Sequence, residues 1–360
     1  MGVSTTNDNP FKLPNTFPFS FSYNKEIGLI FQESTPELCG ILEKAYRCGQ
    51  LIGTPLDDSA SGKPYSEDFL SFIQKLNLPI DSKVLEIGAG VGYLTGRLRS
   101  FGMRTTAIEP GSGYESHLIR NGIKVIKDFF PTIKVRDKFD LIFAYAVLEH
   151  IESPIEFLGH VCAQLKTGGH AVFSVPDCTD ELLAGDPSIL FHEHFNYFEA
   201  GSLCRIIEAA GMYGSVVKSG FGRCLYVIAS KTEFPFFSSK ISLEASVLES
   251  YPDRCKSLIE IVRKKILEIS TLGEVGIYSP ARGLAFLDKS VSFRFFDDDS
   301  ALLGKFLPPF SSPIENMHSL ISNPVETIIV MSRTFVNVIN DKLRKSGYLG
   351  NVIPLEELIS

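Results

Sequence analysis

Val84-Leu85-Glu86-Ile87-Gly88-Ala89-Gly90-Val91-Gly92 is the most informative stretch of the sequence. It begins with apolar residues on both sides of one glutamate, a pattern that predicts a short, buried strand. The glycines that follow allow the backbone to turn sharply and to come close to a ligand. Residues 93–98 are typical of the first turns of a helix. A strand, a glycine turn and a helix N-terminus in this order indicate a nucleotide-cofactor site.

Two classes of cofactor use such a turn. The dinucleotide fingerprint needs a third glycine for close helix packing, and Tyr93 stands at that position. Glu86 precedes the first glycine by two residues, and a carboxylate there would repel a pyrophosphate. S-adenosylmethionine carries a sulfonium cation and an amino group instead, which favour a nearby carboxylate. The pattern therefore favours S-adenosylmethionine over NAD, with Glu86, Gly88, Gly90 and Gly92 as cofactor-binding residues.

Strands and helices alternate after residue 83, which predicts βαβ units and a parallel sheet. The candidate strands are 84–87, 104–108, 124–126, 139–144 and 170–175. A helix over 200–210 is followed by two further strands, 214–218 and 224–229. Only a short turn separates these two strands, so we expect them to pair antiparallel. Five parallel strands closed by a hairpin form the Rossmann-like sheet of class I methyltransferases.

The rest of the chain predicts three further segments around this domain, which we place at 61–232. Residues 1–60 read as an extended arm, whose phenylalanines 11, 17, 19 and 21 can pack on the body, followed by a helix over 36–50. Residues 233–270 form a helical connector on the main body, with Pro252 beginning a second helix. Residues 271–360 form a second, smaller α/β domain. The predicted fold class is thus α/β with two domains.

Composition narrows the class of protein. The net charge of −7 argues against a general nucleic-acid binder or an anionic membrane surface. No apolar run approaches the length of a membrane span, and the N-terminus lacks a secretory signal. The start of the chain fits the loose myristoylation pattern, but no polybasic stretch follows it, so we read the match as chance. Seven scattered cysteines without a C-x-x-C pair indicate reduced thiols in a cytoplasmic protein.

Polar residues after the next strands complete the predicted cofactor site. Glu109 ends the second strand, where a carboxylate can accept hydrogen bonds from both ribose hydroxyls. Asp128 follows the third strand and suits the adenine amino group, with Phe129 against the adenine ring. The alternatives are a helix cap for Asp128 and a core position for Phe129. Ala144 ends the fourth strand, at the edge where ligands bind in open parallel sheets.

Residues 191–198 place His192, Glu193 and His194 together after the fifth strand. Neighbouring histidines can bind metal, but neither a cysteine nor a spare carboxylate motif completes a zinc set, so we predict no metal. Methyl transfer to carbon needs a carbanion or enolate, and a histidine can remove a C–H proton next to a carbonyl. We expect His194 to be that base, with Glu193 orienting or polarising it. Glu149 and His150 either cap the following helix or line the cofactor site.

Residues 84–229 resemble a class I S-adenosylmethionine methyltransferase. The motif His192-Glu193-His194-Phe195-Asn196-Tyr197-Phe198 resembles that of the sugar C-methyltransferases that act on nucleotide-linked 4-keto-deoxysugars. The tail resembles the same family at Ser279-Pro280-Ala281-Arg282-Gly283, Asp297, Lys305, Leu307-Pro308 and Pro313-Ile314. The resemblance covers most of the chain from about residue 60 to 360.

This resemblance implies base chemistry for Glu193 and His194, and a substrate-contacting tyrosine in the N-terminal part, for which Tyr65 is the match. It also implies that the C-terminal domain holds the nucleotide of the acceptor. The family's N-terminal zinc unit has paired cysteines, whereas this part of the chain has Cys39 and Cys48. Phe191 and Pro309 stand where the family often has tyrosine and glycine.

The sequence thus predicts an S-adenosylmethionine-dependent methyltransferase with a small-molecule acceptor, no nucleic-acid partner and no membrane partner. The specific reaction implied is C-methylation of a keto-sugar nucleotide or a similar carbon acid. An O- or N-methyltransferase and a non-catalytic cofactor-binding protein are the alternatives, and an NAD dehydrogenase is the weakest. The oligomeric state stays open.

Overall fold

A computed structural model describes residues 17–48, 62–132, 134–220, 222–233, 242–300, 302–333 and 335–359. Contacts between residues divide this part of the chain into two compact units. The larger unit contains residues 19–180 and 192–249, and the smaller unit contains residues 181–191 and 250–359 together with 17–18.

The strands are β1 (Phe21–Asn24), β2 (Leu29–Gln32), β3 (Lys83–Ile87), β4 (Arg104–Ile108), β5 (Lys124–Ile126), β6 (Phe139–Tyr145), β7 (Leu165–Pro176), β8 (Asn196–Tyr197), β9 (Tyr213–Lys218), β10 (Cys224–Ser230), β11 (Val275–Tyr278), β12 (Phe293–Phe296), β13 (Ile314–Glu315), β14 (Thr327–Val330) and β15 (Asn351–Pro354).

The α-helices are α1 (Pro36–Arg47), α2 (Lys63–Gln74), α3 (Tyr93–Ser100), α4 (Glu115–Arg120), α5 (Pro154–Gln164), α6 (Thr179–Ala184), α7 (Ala200–Ala209), α8 (Ala245–Glu249), α9 (Tyr251–Ser270), α10 (Met317–Ser322), α11 (Val336–Lys345) and α12 (Leu355–Ile359). Short 3₁₀ turns lie at Leu148–His150, Pro187–Ile189 and Pro280–Phe286. Among the described residues, none of the helices is both long enough and apolar enough to cross a bilayer.

The larger unit is built on a seven-stranded sheet with the order β5-β4-β3-β6-β7-β10-β9. Strands β3 to β7 run parallel, whereas β10 pairs antiparallel with both β7 and β9. This is a parallel sheet closed by an antiparallel hairpin, so the predicted Rossmann-like fold is confirmed. The strand β3 lies at the centre, where its carboxyl end meets those of β4 and β6.

Helices cover both faces of this sheet, and β3 shows why its residues form a buried strand. Val84 packs in one cluster with Phe69 of α2, whereas Leu85 belongs to a second cluster with Leu158 of α5 and Leu203 of α7. Successive side chains of a strand point to opposite faces, so both faces of β3 must be apolar. The run at 84–87 therefore lacks the alternation that a half-exposed strand would have.

The N-terminal segment is more ordered than the extended arm that the sequence predicted. Strands β1 and β2 form an antiparallel hairpin, and β2 pairs with β8. Phe19 lies against His192, with 5.3 Å between the ring centroids. Phe11 lies outside the described residues. The hairpin therefore holds the segment around β8, which carries the histidine motif.

The strand β7 is also longer than predicted. It begins at Leu165 rather than at residue 170, and its pairing with β6 shifts register between Phe139 and Leu141. The sequence over 166–169 consists of polar and glycine residues, which are typical of a turn. These residues have no partner in β6, and the strand is continued by the pairs on either side of them, at Leu165 and from His170 onward.

The smaller unit contains a five-stranded parallel sheet with the order β13-β12-β11-β14-β15. The predicted domains were 61–232 and 271–360. In the structure the smaller unit begins at residue 250 and also includes 181–191. The helix α9 groups with this sheet rather than with the main body, because its apolar stripe (Leu258, Val262, Ile266) packs with Val275 and Ile277 of β11. The segment 181–191 belongs to the same unit.

Candidate active site

The glycine turn after β3 contains three glycines with positive φ. These angles are +74° at Gly88, +49° at Gly90 and +76° at Gly92. A Cβ at Gly88 would lie 2.6 Å from Val147, and one at Gly92 would lie 2.1 Å from Leu118. A Cβ at Gly90 would meet no atom within 4 Å. Gly88 and Gly92 are therefore packed against the protein, whereas Gly90 faces open space at the carboxyl edge of the sheet.

Glu109 faces this turn from the end of β4. Its carboxylate accepts a hydrogen bond from the Gly90 N–H at 2.7 Å and one from the Gly111 N–H at 2.7 Å. Burial raises the pKa of Glu109, and the two backbone donors partly oppose that shift. Each carboxylate oxygen can accept more than one hydrogen bond. The structure thus brings two predicted cofactor residues, Gly90 and Glu109, into direct contact.

Glu86 has a local partner in the structure. It is buried and accepts hydrogen bonds from the backbone N–H of Thr95, at 3.1 Å, and from the hydroxyl of the same residue. These contacts tie the middle of β3 to the first turns of α3. They explain why an acid can stand inside a buried strand, and the predicted contact of Glu86 with the cofactor stays a prediction.

Asp128 and Phe129 lie beside each other after β5. The carboxylate of Asp128 accepts from the Thr132 hydroxyl at 2.9 Å and pairs with the Lys134 ammonium at 3.0 Å. The hydrogen bond from Lys134 is the main reason that the pKa of Asp128 is lowered. The Arg47 guanidinium lies 4.8 Å from the centre of the Phe129 ring. Arg47, at the end of α1, is a neighbour that the sequence did not indicate.

Ala144 lies one residue inside the end of β6. Its side chain belongs to the hydrophobic core between the sheet and the helices α5 and α7. Only the backbone of Ala144 is therefore left to contact a cofactor. The sequence pattern located the strand correctly but ended it one residue early.

A second group of polar side chains gathers where the segment 192–197 meets the turn after β6. The Phe195 N–H donates to the Glu149 carbonyl at 2.7 Å, and the Asn196 amide donates to the Ile151 carbonyl at 2.6 Å. The Gln32 amide of β2 donates to the His192 carbonyl at 2.9 Å. These backbone contacts fix the histidine motif on the Glu149-His150 turn.

Glu149, His150 and His194 face each other in this group. Each residue offers one possible ligand atom, which is a ring nitrogen of a histidine or a carboxylate oxygen of Glu149. These three atoms all lie within 4.8 Å of one another. The rings of His150 and His194 meet edge to face, with 4.8 Å between their centroids. The N-cap position of α5 is Ser153, so Glu149 and His150 do not cap that helix, and their contact with the cofactor stays a prediction.

Burial changes the protonation of these groups. It raises the pKa of Glu149 to about 8 and that of Glu193 to about 8, and it lowers the pKa of His150 to about 4. The reason is that a low-dielectric surrounding disfavours the charged form of each group. Burial therefore favours the neutral form of His150 and of both carboxyl groups.

Tyr46 of α1 completes the group. Its hydroxyl lies 3.1 Å from Nδ1 of His150, and the two rings meet edge to face. Burial, and then the charges of Glu193 and Glu149, raise the pKa of Tyr46. Tyr65, the predicted substrate-contacting tyrosine, lies in α2, and its role stays a prediction. Tyr46 was missed because its helix gave no chemical signal in the sequence.

Known proteins give a second line of evidence. Residues 63–214 match a family model described as a methyltransferase domain. This match covers less than half of the chain, and together with the sheet order of the larger unit it indicates a class I methyltransferase domain. The cofactor of this class is S-adenosylmethionine, and the contact of Glu109 with its ribose stays a prediction.

Individual relatives cover only part of the chain. The C-methyltransferase NovU of Streptomyces niveus is 26% identical over 147 residues, which are 39% of this chain and 35% of NovU. A ubiquinone biosynthesis O-methyltransferase of Actinobacillus pleuropneumoniae is 32% identical over 113 residues, which are 28% of this chain and 48% of that protein. The chain thus matches about a third to a half of the length of these curated relatives.

A solved structure of DhpI with S-adenosylmethionine, described as the DhpI-SAM-HEP complex, aligns with a TM-score of 0.44 and 17% identity. The alignment covers 55% of this chain and 99% of DhpI.

Gly90→Ala is expected to weaken binding of S-adenosylmethionine by the methyltransferase domain at least about tenfold, since the new methyl group enters the space next to the turn. The left-handed conformation costs a non-glycine residue about 1–2 kcal/mol, so the variant should still fold. Calorimetric titration measures the affinity. Gly96→Ala is the control, because a Cβ at Gly96 in α3 also meets no atom within 4 Å. Equal affinity of both variants would contradict the assignment of Gly90.

Proposed function

We propose that this protein transfers a methyl group from S-adenosylmethionine to a small molecule that carries an acidic proton. The specific reaction proposed is C-methylation of a keto-sugar nucleotide or a similar carbon acid. The observation that carries the proposal is the placement of buried Glu193 and half-buried His194, whose segment is held by hydrogen bonds to the turn after β6. Val147 of this turn contacts Gly88, so the pair and the glycine turn belong to one region of the larger unit.

S-adenosylmethionine, when bound, supplies an electrophilic methyl group on a sulfonium. The glycine turn and Glu109 bind and orient it. The Glu193–His194 pair takes the proton from the acceptor carbon, and the resulting carbanion or enolate is the nucleophile. Burial makes the Glu193 carboxylate a stronger base than an exposed one, since it raises the pKa to about 8. Alignment of the nucleophile with the methyl group contributes several kcal/mol to the rate, on the order of 7–11 in favourable cases.

The smaller unit is proposed to bind the nucleotide part of the acceptor. Its parallel sheet has a topological switch point between β11 and β14. The strands β12 and β13 extend the sheet on one side of β11, and the strands β14 and β15 extend it on the other side. Open parallel sheets bind ligands at the carboxyl ends of the strands at such a point. The similarity to NovU, a C-methyltransferase, supports carbon as the methylated atom, and the similarity to an O-methyltransferase makes methylation of oxygen the second candidate.

Calorimetric titration with S-adenosylmethionine, S-adenosylhomocysteine and NAD tests the cofactor. We expect the first two to bind and Glu109→Ala to weaken both about a hundredfold, because two hydrogen bonds to a charged group contribute about 1.5–3 kcal/mol each. Glu109→Gln keeps a hydrogen-bond acceptor and should therefore lose less affinity for both ligands than Glu109→Ala. Binding of NAD alone would contradict the proposal.

A screen with isotope-labelled methyl groups then tests the reaction. The acceptors are keto-sugar nucleotides, hydroxyl compounds and amines, and NMR of the product locates the methyl group. A new carbon–carbon bond is the expected result. Methylated oxygen or nitrogen would replace the specific reaction with the second candidate, and cofactor binding without turnover on any acceptor would support a non-catalytic protein.

A further inference from the structure

The cluster of Glu149, His150 and His194 has the composition and the spacing of a metal-binding site. Its three candidate ligand atoms lie within 4.8 Å of one another. Nε2 of His150 is 3.9 Å from Oε1 of Glu149. Ligand atoms that share one zinc ion at about 2.0–2.1 Å lie roughly 3–4 Å apart. Small side-chain movements would therefore close the cluster around a cation.

The free oxygen of Glu149 is an independent observation. Glu149 is 2% exposed, and its Oε2 is buried without a hydrogen-bond partner among the described residues. Leaving such an atom unsatisfied costs free energy, roughly 1–3 kcal/mol, so native proteins keep few of them. A cation is a partner that satisfies a buried carboxylate oxygen.

His150 is also held in the orientation that a metal ligand needs. Its Nδ1 lies 2.9 Å from the Glu193 carbonyl, which can only accept a hydrogen bond. In the tautomer that makes this hydrogen bond, Nδ1 carries the proton and Nε2 keeps its lone pair on the side of Glu149. Metal-binding histidines typically donate their second N–H to a carbonyl or carboxylate in this way. Tyr46 adds a second contact on the same nitrogen.

We propose that Glu149, His150 and His194 bind a divalent metal ion of the zinc class. Two histidines and one glutamate form a three-ligand set, which leaves a fourth position for water or substrate. The sequence analysis predicted no metal, and it considered only His192 and His194 as neighbouring histidines. In the structure His192 lies against Phe19, and the further ligands come from the turn after β6.

The role of the cation rests on the proposed function. At the open position it would bind the carbonyl oxygen of the acceptor and favour the enolate. The proton from the acceptor carbon goes to the Glu193 carboxylate, the electron pair of that C–H bond moves into the enolate, and the enolate carbon takes the methyl group. The sulfonium leaves as the neutral thioether, so the reaction needs no oxidant or reductant. His194 is then a metal ligand, and Glu193 is the member of the pair that accepts the proton.

The test uses the full chain, freed of metal with a chelator and titrated with Zn²⁺ by calorimetry. A parallel titration with Co²⁺ reports the coordination geometry through its visible absorption. We expect one ion per chain, and at least about tenfold weaker binding in Glu149→Gln and in His194→Ala. His192→Ala is the matched control, since it removes a histidine of the same motif outside the cluster. Thermal unfolding without metal checks that all variants fold.

Two outcomes would overturn the site. One is that the protein does not bind Zn²⁺. The other is that His192→Ala weakens Zn²⁺ binding as much as His194→Ala does. Full methyl transfer by the chelated protein would overturn the catalytic role of the cation and leave the proposed function intact. Loss of Zn²⁺ binding in the Glu149 and His194 variants, with no methyl transfer by any form, would support the site and count against the proposed function.

Discussion

His194→Ala is expected to lower the rate of methyl transfer by about 10²–10⁴-fold, the usual contribution of a positioned general base or its partner. Both proposed roles of His194 lead to this loss. As part of the base pair it takes up the acceptor proton, and as a metal ligand it holds the cation that stabilises the enolate. Cofactor affinity should stay within about twofold, because the glycine turn and Glu109 come from other strands. Steady-state kinetics and calorimetry measure the two quantities.

The control for this loss is His192→Ala, which removes a half-buried imidazole next to Phe19 rather than one beside His150. Its rate should be near that of the native protein. Full turnover of His194→Ala would rule out His194 in either role. A rate that fell equally in both variants would indicate that the segment 192–197 had lost its structure, and circular dichroism would show this directly.

Much of the fold follows from local signals in the sequence. The strands β3 and β6 are mostly apolar, β3 ends before a glycine and β4 before an acid, and each of the three was predicted to within about two residues. The hairpin of β1 and β2 was missed because its order depends on β8, which lies more than 160 residues away along the chain. Short strands without alternation carry no local signal for such pairing. The position of α9 was also predicted wrongly, because its apolar stripe indicates that it packs on a sheet but not on which one.

The candidate site shows the same limit. Glu109 and Gly90 were predicted as separate positions, and the parallel sheet brings them together because both follow neighbouring strands. The metal cluster was not predicted, since its ligands come from two segments, with His150 and His194 44 residues apart. A carboxylate that can complete the set stands at Glu149, where the sequence alone suggested either a helix cap or a cofactor contact. Tyr46 reaches the cluster through tertiary packing of α1, which no spacing rule describes.

Arg333→Met is expected to lower the free energy of unfolding of the smaller unit by about 3–5 kcal/mol. The carboxylate of Asp186 is fully buried and forms an ion pair with Arg333, whose side chain is 14% exposed. Removing the guanidinium leaves a buried charge without a counterion, which costs more than the pair itself contributes. Methionine has a similar volume, so the loss of packing is small.

The remaining contacts of Asp186 explain why the charge cannot escape to water. Its carboxylate accepts from the Ser188 N–H at 2.8 Å, and its carbonyl accepts from the Tyr251 hydroxyl at 2.9 Å. These bonds keep Asp186 in place after the arginine is gone. The double variant Asp186→Asn with Arg333→Met removes both charges and keeps an acceptor for Ser188, so it should be more stable than Arg333→Met alone.

Hydrogen exchange is the suitable measurement, because a two-unit chain does not guarantee a single unfolding transition. The amides of β11 and β14 should exchange faster in Arg333→Met, and those of β3 and β6 should not change. Lys25→Met is the control, since it breaks an exposed ion pair, with Glu249, and exposed pairs contribute little to stability. If Arg333→Met and Lys25→Met had equal effects, Asp186 would have to be neutral or hydrated in the folded protein.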